Sequence, residues 1–329
     1  MLLRIKKIKF KNLIFVFLSF LALLLTSCQA IKTNSKTIFC FDTVVNITLY
    51  NDENASKHID EISEICYEIS RYASDYNSFN SSSIYDLNTN RSIKTNQIVK
   101  EMLESALRLK KDTNGYFNPF IGNISRIWKK AIEDKTLPND EDIKAELKKM
   151  NNTSLVIDNE NITLVGEGNI DLGAYAKGYA GKKIKEYLET NNIRYYLIDL
   201  GNSLMLCGSK VEASLSLGLK IPNTNKYFAK ANVKDICAST SSSEYQYFIA
   251  DGNKYHHIVS PFTGYPLNNY DEVCVFSNKV EDIDAYSTAI YLMDKDTAVK
   301  FAEDKKIDLV LYKEKIIYKS SGCDYIEEI

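Results

Sequence analysis

No C-x-x-C pair occurs among the seven cysteines of this 329-residue chain, and only three histidines accompany them. A thiolate zinc site needs such pairs or a mixed Cys/His set, so that chemistry is disfavoured. The standard phosphate-cradling patterns are also missing where they would be sought first. Residues 171–181 read DLGAYAKGYAG, yet they match neither G-x-x-x-x-G-K-[ST] nor G-x-G-x-x-G, because the lysine precedes Gly178 instead of following it. The chain has no internal repeat, no low-complexity block and one tryptophan against 22 tyrosines, which leaves ample aromatic material for a core and for stacking surfaces.

What is present begins with the N-terminus. Arg4, Lys6, Lys7, Lys9 and Lys11 precede the apolar run LIFVFLSFLALLL, which ends at Leu25-Thr26-Ser27-Cys28. A charged region, an apolar region and small residues at a cleavage point describe a signal peptide over residues 1–27. The run is shorter than the roughly 20 residues of a comfortable membrane span, although a plain uncleaved anchor is the competing interpretation. Leu-Thr-Ser-Cys also resembles the bacterial lipobox, in which the cysteine becomes the lipidated N-terminus. Either way the remainder is expected outside the cytoplasm on a membrane, with residues 28–36 as a lipidated tether and 37–329 as a single domain. Removing residues 1–27 leaves 36 Lys+Arg against 43 Asp+Glu, a net charge of −7. That balance argues against nucleic acid as a partner. Cys207 and Cys274 sit among apolar neighbours and read as buried small residues; an exported chain can form disulfides, but their pairing is not legible from spacing.

Beyond the tether, TVVNITLY alternates as a first strand. Ile59, Ile62, Ile65, Ile69 and Tyr72 recur at helical spacing, as do Ile98, Met102, Leu103, Ala106 and Leu109. The Ser/Asn-rich stretch between them reads as a loop. Gly115 is placed to end the second helix and Pro119 to prevent its continuation. Glu133 to Lys149 reads as a surface helix, SLVIDNENITLVGEGNIDLG as a hairpin feeding the glycine loop, and Ala180, Ile184, Tyr187 and Leu188 as one helix face ending at Asn191-Asn192. RYYLIDL, LSLGLKI, YQYFIA, EVCVFS, DLVLY and KIIY are candidate strands, with a helix over residues 282–292. Strands outnumber helices and alternate irregularly, which indicates an α+β fold.

Three further places can carry chemistry. Asp284 and Thr288 are four apart on the late helix, so they share a face and can offer two hard oxygens to Mg²⁺, although an aspartate near a helix start also caps. His256 and His257 are adjacent on an extended segment and point to opposite sides, so at most one faces a site. In TNGYFNP, Tyr116 and Phe117 can fill core or stack on a flat ligand.

The order FDT, a tyrosine in the Ser-rich loop leading to LN, TNGYFNP, DLGAYAKGYAG, IDLGN, HHIVSPFTGYP and DAYSTA resembles the FAD:protein FMN transferases of the ApbE type. The resemblance runs from Phe41 to the C-terminus, and its most specific parts are D-L-G-x-x-A-K-G, H-I-x-x-P-x-T-G-x-P and D-A-x-x-T-A. It implies mixed and antiparallel sheets with packed helices and a flavin nucleotide in a cleft. It implies that Phe41, Tyr76, Tyr116, Phe117, Asn118, Asp171, Lys177 and His257 contact FAD. It also implies that the Ala174 carbonyl, Asp284 and Thr288 ligate Mg²⁺. The implied reaction is Mg-dependent transfer of FMN from FAD to a threonine or serine hydroxyl of an exported acceptor protein, with release of AMP, His257 assisting proton transfer or holding phosphate. An FAD pyrophosphatase using water, or a non-catalytic flavin- or solute-binding lipoprotein, are the competing functions. Ser260, Phe262, Asn202 and Ser242 depart from the family pattern, at positions where it tends to have Asp, Arg, Gly and Gly.

Overall fold

EVCVFS is a continuous apolar run where the first strand alternates, and its position explains why. Glu272–Ser277 lies inside an eight-stranded antiparallel sheet whose spatial order is also its order along the chain. The strands are Thr33–Cys40, Thr43–Tyr50, Tyr196–Leu200, Leu204–Cys207, Ile236–Ser242, Glu272–Ser277, Asp308–Lys313 and Lys315–Lys319. The structure is a computed structural model that describes residues 31–211, 213–244 and 246–329. The signal segment and Cys28 lie outside the described residues.

Each face of this sheet is covered. Val273 and Val275 join a core built with the helices, whereas Cys274 and Phe276 join a second core against Leu215–Lys220, Tyr227–Val233 and Ile326–Glu328. A strand buried on both sides loses its polar alternation, hence the continuous run. Residues 51–195, inserted between the second and third strands, supply the helices Ala55–Ala73, Ile84–Asn90, Gln97–Asp112, Gly122–Asp134, Asp140–Asn151 and Ala176–Thr190. The expected α+β class is therefore the observed one. Gly115, at φ +87° with its N–H on the Lys110 carbonyl at 2.8 Å, ends the Gln97–Asp112 helix as anticipated. All six described cysteines are buried and free.

Several boundaries differ from the sequence reading. The sheet begins at Thr33, so residues 33–36 pair with Ile47–Tyr50 instead of serving as tether. Their side chains are mostly exposed, which removes the apolar signal of a strand. The Ser/Asn-rich stretch is not all loop: Ser83 and Asp86 form a capping box that starts the Ile84–Asn90 helix. Helices Gly122–Asp134 and Lys295–Lys305 and the strands Leu204–Cys207, Tyr227–Val233 and Ile236–Ser242 were not anticipated. The 154–165 hairpin stops at Val165, so irregular backbone, not a strand, leads into Asp171.

Glu272 carries a consequence for stability. It is buried, accepts a weak bond from the Cys274 thiol at 3.4 Å, and burial pushes its carboxyl up to about 8. Its native pKa thus lies above the unfolded value of about 4.3. The native state holds this proton more tightly, so the contribution is complete in acid and disappears as pH rises through about 8. Denaturant melts should show stability falling by roughly 3–4 kcal/mol between pH 5 and 9 from this group; Glu272→Gln should flatten that part of the profile.

Candidate functional site

The glycine segment is held from three sides before its helix begins. Asn88, at the end of the Ile84–Asn90 helix, grips Ile170 twice: its Nδ2 donates to the Ile170 carbonyl at 2.8 Å and its Oδ1 accepts the Ile170 N–H at 2.7 Å. Arg91 donates to the Gly166 and Gly168 carbonyls and to Asn169 Oδ1. From the TNGYFNP side, the Asp171 N–H donates to the Pro119 carbonyl at 2.9 Å. Asp171 Oδ1 then accepts the Gly173 N–H at 2.7 Å, an Asx turn that bends the chain toward the helix. Two segments far apart in sequence are thereby locked together.

The helix starts at Ala176, so Lys177 and Gly178 belong to its first turn. The Gly178 N–H donates to Asp284 Oδ2 at 2.8 Å, making Asp284 a cap supplied by another helix, Val280–Leu292. The helices meet closely here: a Cβ on Gly178 would lie 2.6 Å from the Glu281 carbonyl oxygen and 2.9 Å from Asp284 Cβ. The glycine answers to helix packing. Behind the crossing, Glu281 accepts from Tyr175 Oη at 2.8 Å and pairs with Lys182 at 3.1 Å.

Asp284 is buried, and burial raises its carboxyl pKa although the Lys177 ammonium and the Gly178 N–H favour the charged form. Thr288 lies one turn on, partly exposed, with its Oγ1 3.3 Å from Ser241 Oγ. Lys177 Nζ is 3.4 Å from the Gly173 carbonyl.

The adjacent histidines part as strand alternation requires. His256 is fully buried, its Nδ1 accepting the Ile258 N–H and its Nε2 facing the Leu267 carbonyl, and burial pushes its pKa down to about 3. It is a neutral structural residue. His257, by contrast, is exposed to solvent. Desolvation lowers its pKa, with Lys177 and Asp171 both near enough to act on it.

The aromatic candidates divide. Phe117 is buried edge-on against Tyr175, and buried Asn118 uses its Oδ1 to accept the Phe120 N–H, so both are built into the interior. Tyr116 is half-buried and meets exposed Phe262 edge-on, ring centres 4.9 Å apart. Phe41 and Asp42, both near φ +54°, form the two-residue turn between the first two strands; the Phe41 N–H is anchored on Ser70 Oγ at 2.9 Å. Exposed Tyr76 accepts from Lys129 Nζ at 2.7 Å, and Lys129 also feels Asp42. Asp75 pairs with Arg126 at 3.4 Å, and burial first and the Asp171 charge second raise its pKa. Lys177 therefore acts on both His257 and Asp284, and Asp171 acts on His257, while Phe41 and Tyr76 share a charged margin with Asp42 and Lys129.

The model of the ApbE family matches residues 41–311. The chain belongs to the ApbE family. Among its relatives, an FAD:protein FMN transferase of Klebsiella pneumoniae is 30% identical over 181 residues, covering 53% of this chain and 56% of that protein. One of Treponema pallidum is 27% identical over 244 residues, covering 67% of each. The crystal structure of the ApbE protein of Thermotoga maritima shares the fold at a TM-score of 0.77 and 22% identity, over 90% of this chain and 97% of that one.

Among the described residues of this ApbE-family chain, no three His, Cys, Asp or Glu side chains group to hold a metal. A cation here would instead use mixed oxygens: the Asp284 carboxylate, the Thr288 hydroxyl and the Ala174 carbonyl. That donor set suits Mg²⁺, which takes few protein ligands and completes its shell with water or phosphate. Buried Asp284, whose charge desolvation penalises, is the observation that favours it. Sequence reasoning missed Asn88, Arg91, Asp75, Arg126 and Lys254. None of them left a usable signal, since strand alternation puts Lys254 on the face of the structural His256; its Nζ donates to Ser243 Oγ at 2.8 Å and it also acts on His257.

Proposed function

We propose that this protein transfers FMN from FAD to a threonine or serine hydroxyl of an exported acceptor protein, forming a phosphoester and releasing AMP. Membership of a family whose relatives are FAD:protein FMN transferases supports the reaction. The single observation that carries it is the convergence of Asp171, Lys177, His257 and Asp284 from three chain segments. The acceptor oxygen attacks the FMN-side phosphorus, the bond to the bridging oxygen breaks, and AMP departs with the electron pair. Lys177 faces the charge that grows on the pyrophosphate oxygens, where a fixed cation stabilises the transition state. Asp284, Thr288 and the Ala174 carbonyl are the residues that would hold Mg²⁺, which when bound would further neutralise that charge. His257, neutral because desolvation lowers its pKa, accepts the hydroxyl proton. Phe41, Tyr76 and Tyr116 border the flavin, with Phe117 and Asn118 shaping its wall from behind.

Replacing His257 with glutamine should lower the transfer rate by about 10²–10⁴-fold while FAD binding persists, measured as flavin fixed to acceptor under saturating FAD. With the lowered pKa, the rate should hold from neutral pH upward and fall only below the usual histidine range. Transfer undiminished in chelated buffer would remove Mg²⁺ from this reading.

The Leu25–Cys28 sequence further supports lipidation at Cys28 and residence on the extracytoplasmic face of the bacterial membrane. No helix among the described residues is long and apolar enough to cross a membrane. Cys28→Ser should move the protein from the membrane fraction to the soluble one.

A further inference from the structure

Behind Thr288, three buried serines meet. Ser239 and Ser241, two apart on the Ile236–Ser242 strand, share a face. Their Oγ atoms lie 3.0 and 2.9 Å from Ser287 Oγ. Ser287 Oγ in turn donates to the Asp284 carbonyl at 3.0 Å, and Ser241 Oγ lies 3.3 Å from Thr288 Oγ1. Ser239, Ser241 and Ser287 are 0%, 8% and 1% exposed.

A hydroxyl has one proton to donate and two lone pairs to accept with. Ser287 spends its proton on the Asp284 carbonyl, which can only accept. Both of its other contacts must therefore be accepted bonds, with Ser239 and Ser241 as donors. Ser241 has then used its own proton, so its contact with Thr288 runs the other way: Thr288 donates and Ser241 accepts. The direction of the whole chain is fixed, Thr288 to Ser241 to Ser287 to the Asp284 carbonyl. Ser287 is saturated and has no lone pair left for a ligand. Thr288 has its proton turned inward, which leaves its lone pairs directed away from the strand.

We propose that Ser241 is a positioning residue that presets the Thr288 hydroxyl as a cation ligand. It does so by taking the Thr288 proton, and it ties the ligand's orientation to the backbone of Asp284, the second ligand. This rests on the cation reading of the proposed function. Such outer partners of metal ligands typically change affinity by about 10–100-fold when removed.

The test is Mn²⁺ binding to the purified protein, followed by the loss of the free-ion EPR signal, with thermal melts and metal-free FAD binding in parallel. Ser241→Ala should weaken Mn²⁺ binding by roughly 10–100-fold, with FAD binding in chelated buffer unchanged; Ser241→Thr should restore it. Ser239→Ala, which removes a donor to Ser287 without touching Thr288, should stay within about threefold of wild type. If Ser241→Ala does not fold, Ser241→Cys, with its weak donor and acceptor, gives the same comparison. Equal affinity in wild type and the Ser241 variants would overturn the relay and leave the cation reading standing. Absence of Mn²⁺ binding by wild type itself would overturn both.

Discussion

Asp284→Asn should fold normally and lose FMN transfer by roughly 10²–10³-fold, the size expected when a preorganised electrostatic contact to a reacting centre is removed. The asparagine oxygen can still accept the Gly178 N–H, so the cap on the Ala176–Thr190 helix survives. Only the negative charge disappears, and with it the side chain best able to hold a divalent cation. Asp284→Ala separates the two roles. It leaves a buried Gly178 N–H without its acceptor, which costs about 1–3 kcal/mol, in addition to the catalytic loss. Denaturant melts should therefore rank wild type and Asp284→Asn together above Asp284→Ala, while the transfer assay groups the two variants together. Full activity in Asp284→Asn would remove this carboxylate from the chemistry.

Gly178→Ala should damage both stability and transfer, although helix propensity alone argues the opposite. Alanine in a helix interior is favoured over glycine by about 1 kcal/mol. Against this, the new methyl would lie 2.6 Å from the Glu281 carbonyl oxygen and 2.9 Å from Asp284 Cβ. The carbonyl belongs to a helix backbone and cannot rotate away as a side-chain end could, so the two helices must separate. Overpacking of that kind costs about 1–3 kcal/mol, enough to cancel or exceed the propensity gain. The displaced element is the one carrying Asp284 and Thr288, and misplacement of a site by about 1 Å can cost on the order of 10²-fold in rate. Melts that show a stabilised variant with unchanged transfer would refute the close-packing account of this glycine.

How far the sequence revealed this arrangement depends on the kind of signal each part left. Helical spacing exposed Ala55–Ala73 and Gln97–Asp112 because each buries one apolar stripe. The four-residue spacing of Asp284 and Thr288 placed them on one helix face, and strand alternation separated His256 from His257. Asn88 and Arg91 left no such trace, since their work is to bond the backbone of residues 166–170, more than seventy positions away. The strand at Thr33–Cys40 was hidden by its exposed side chains, and the Ile84–Asn90 helix by its serine-rich approach, of which Ser83 serves as the cap. The role of Gly178 was likewise beyond sequence, because what it avoids is a carbonyl of residue 281.

The most direct measurement supplies purified protein with FAD, Mg²⁺ and an exported acceptor carrying a candidate threonine, and follows flavin by mass spectrometry and in-gel fluorescence. FMN should appear covalently on that threonine in amounts matching the AMP released, and the rate of its formation should fall by roughly 10²–10³-fold with Asp284→Asn. Free FMN formed at the same rate with or without acceptor, and no flavin on the protein, would contradict the transferase account and assign the site to hydrolysis.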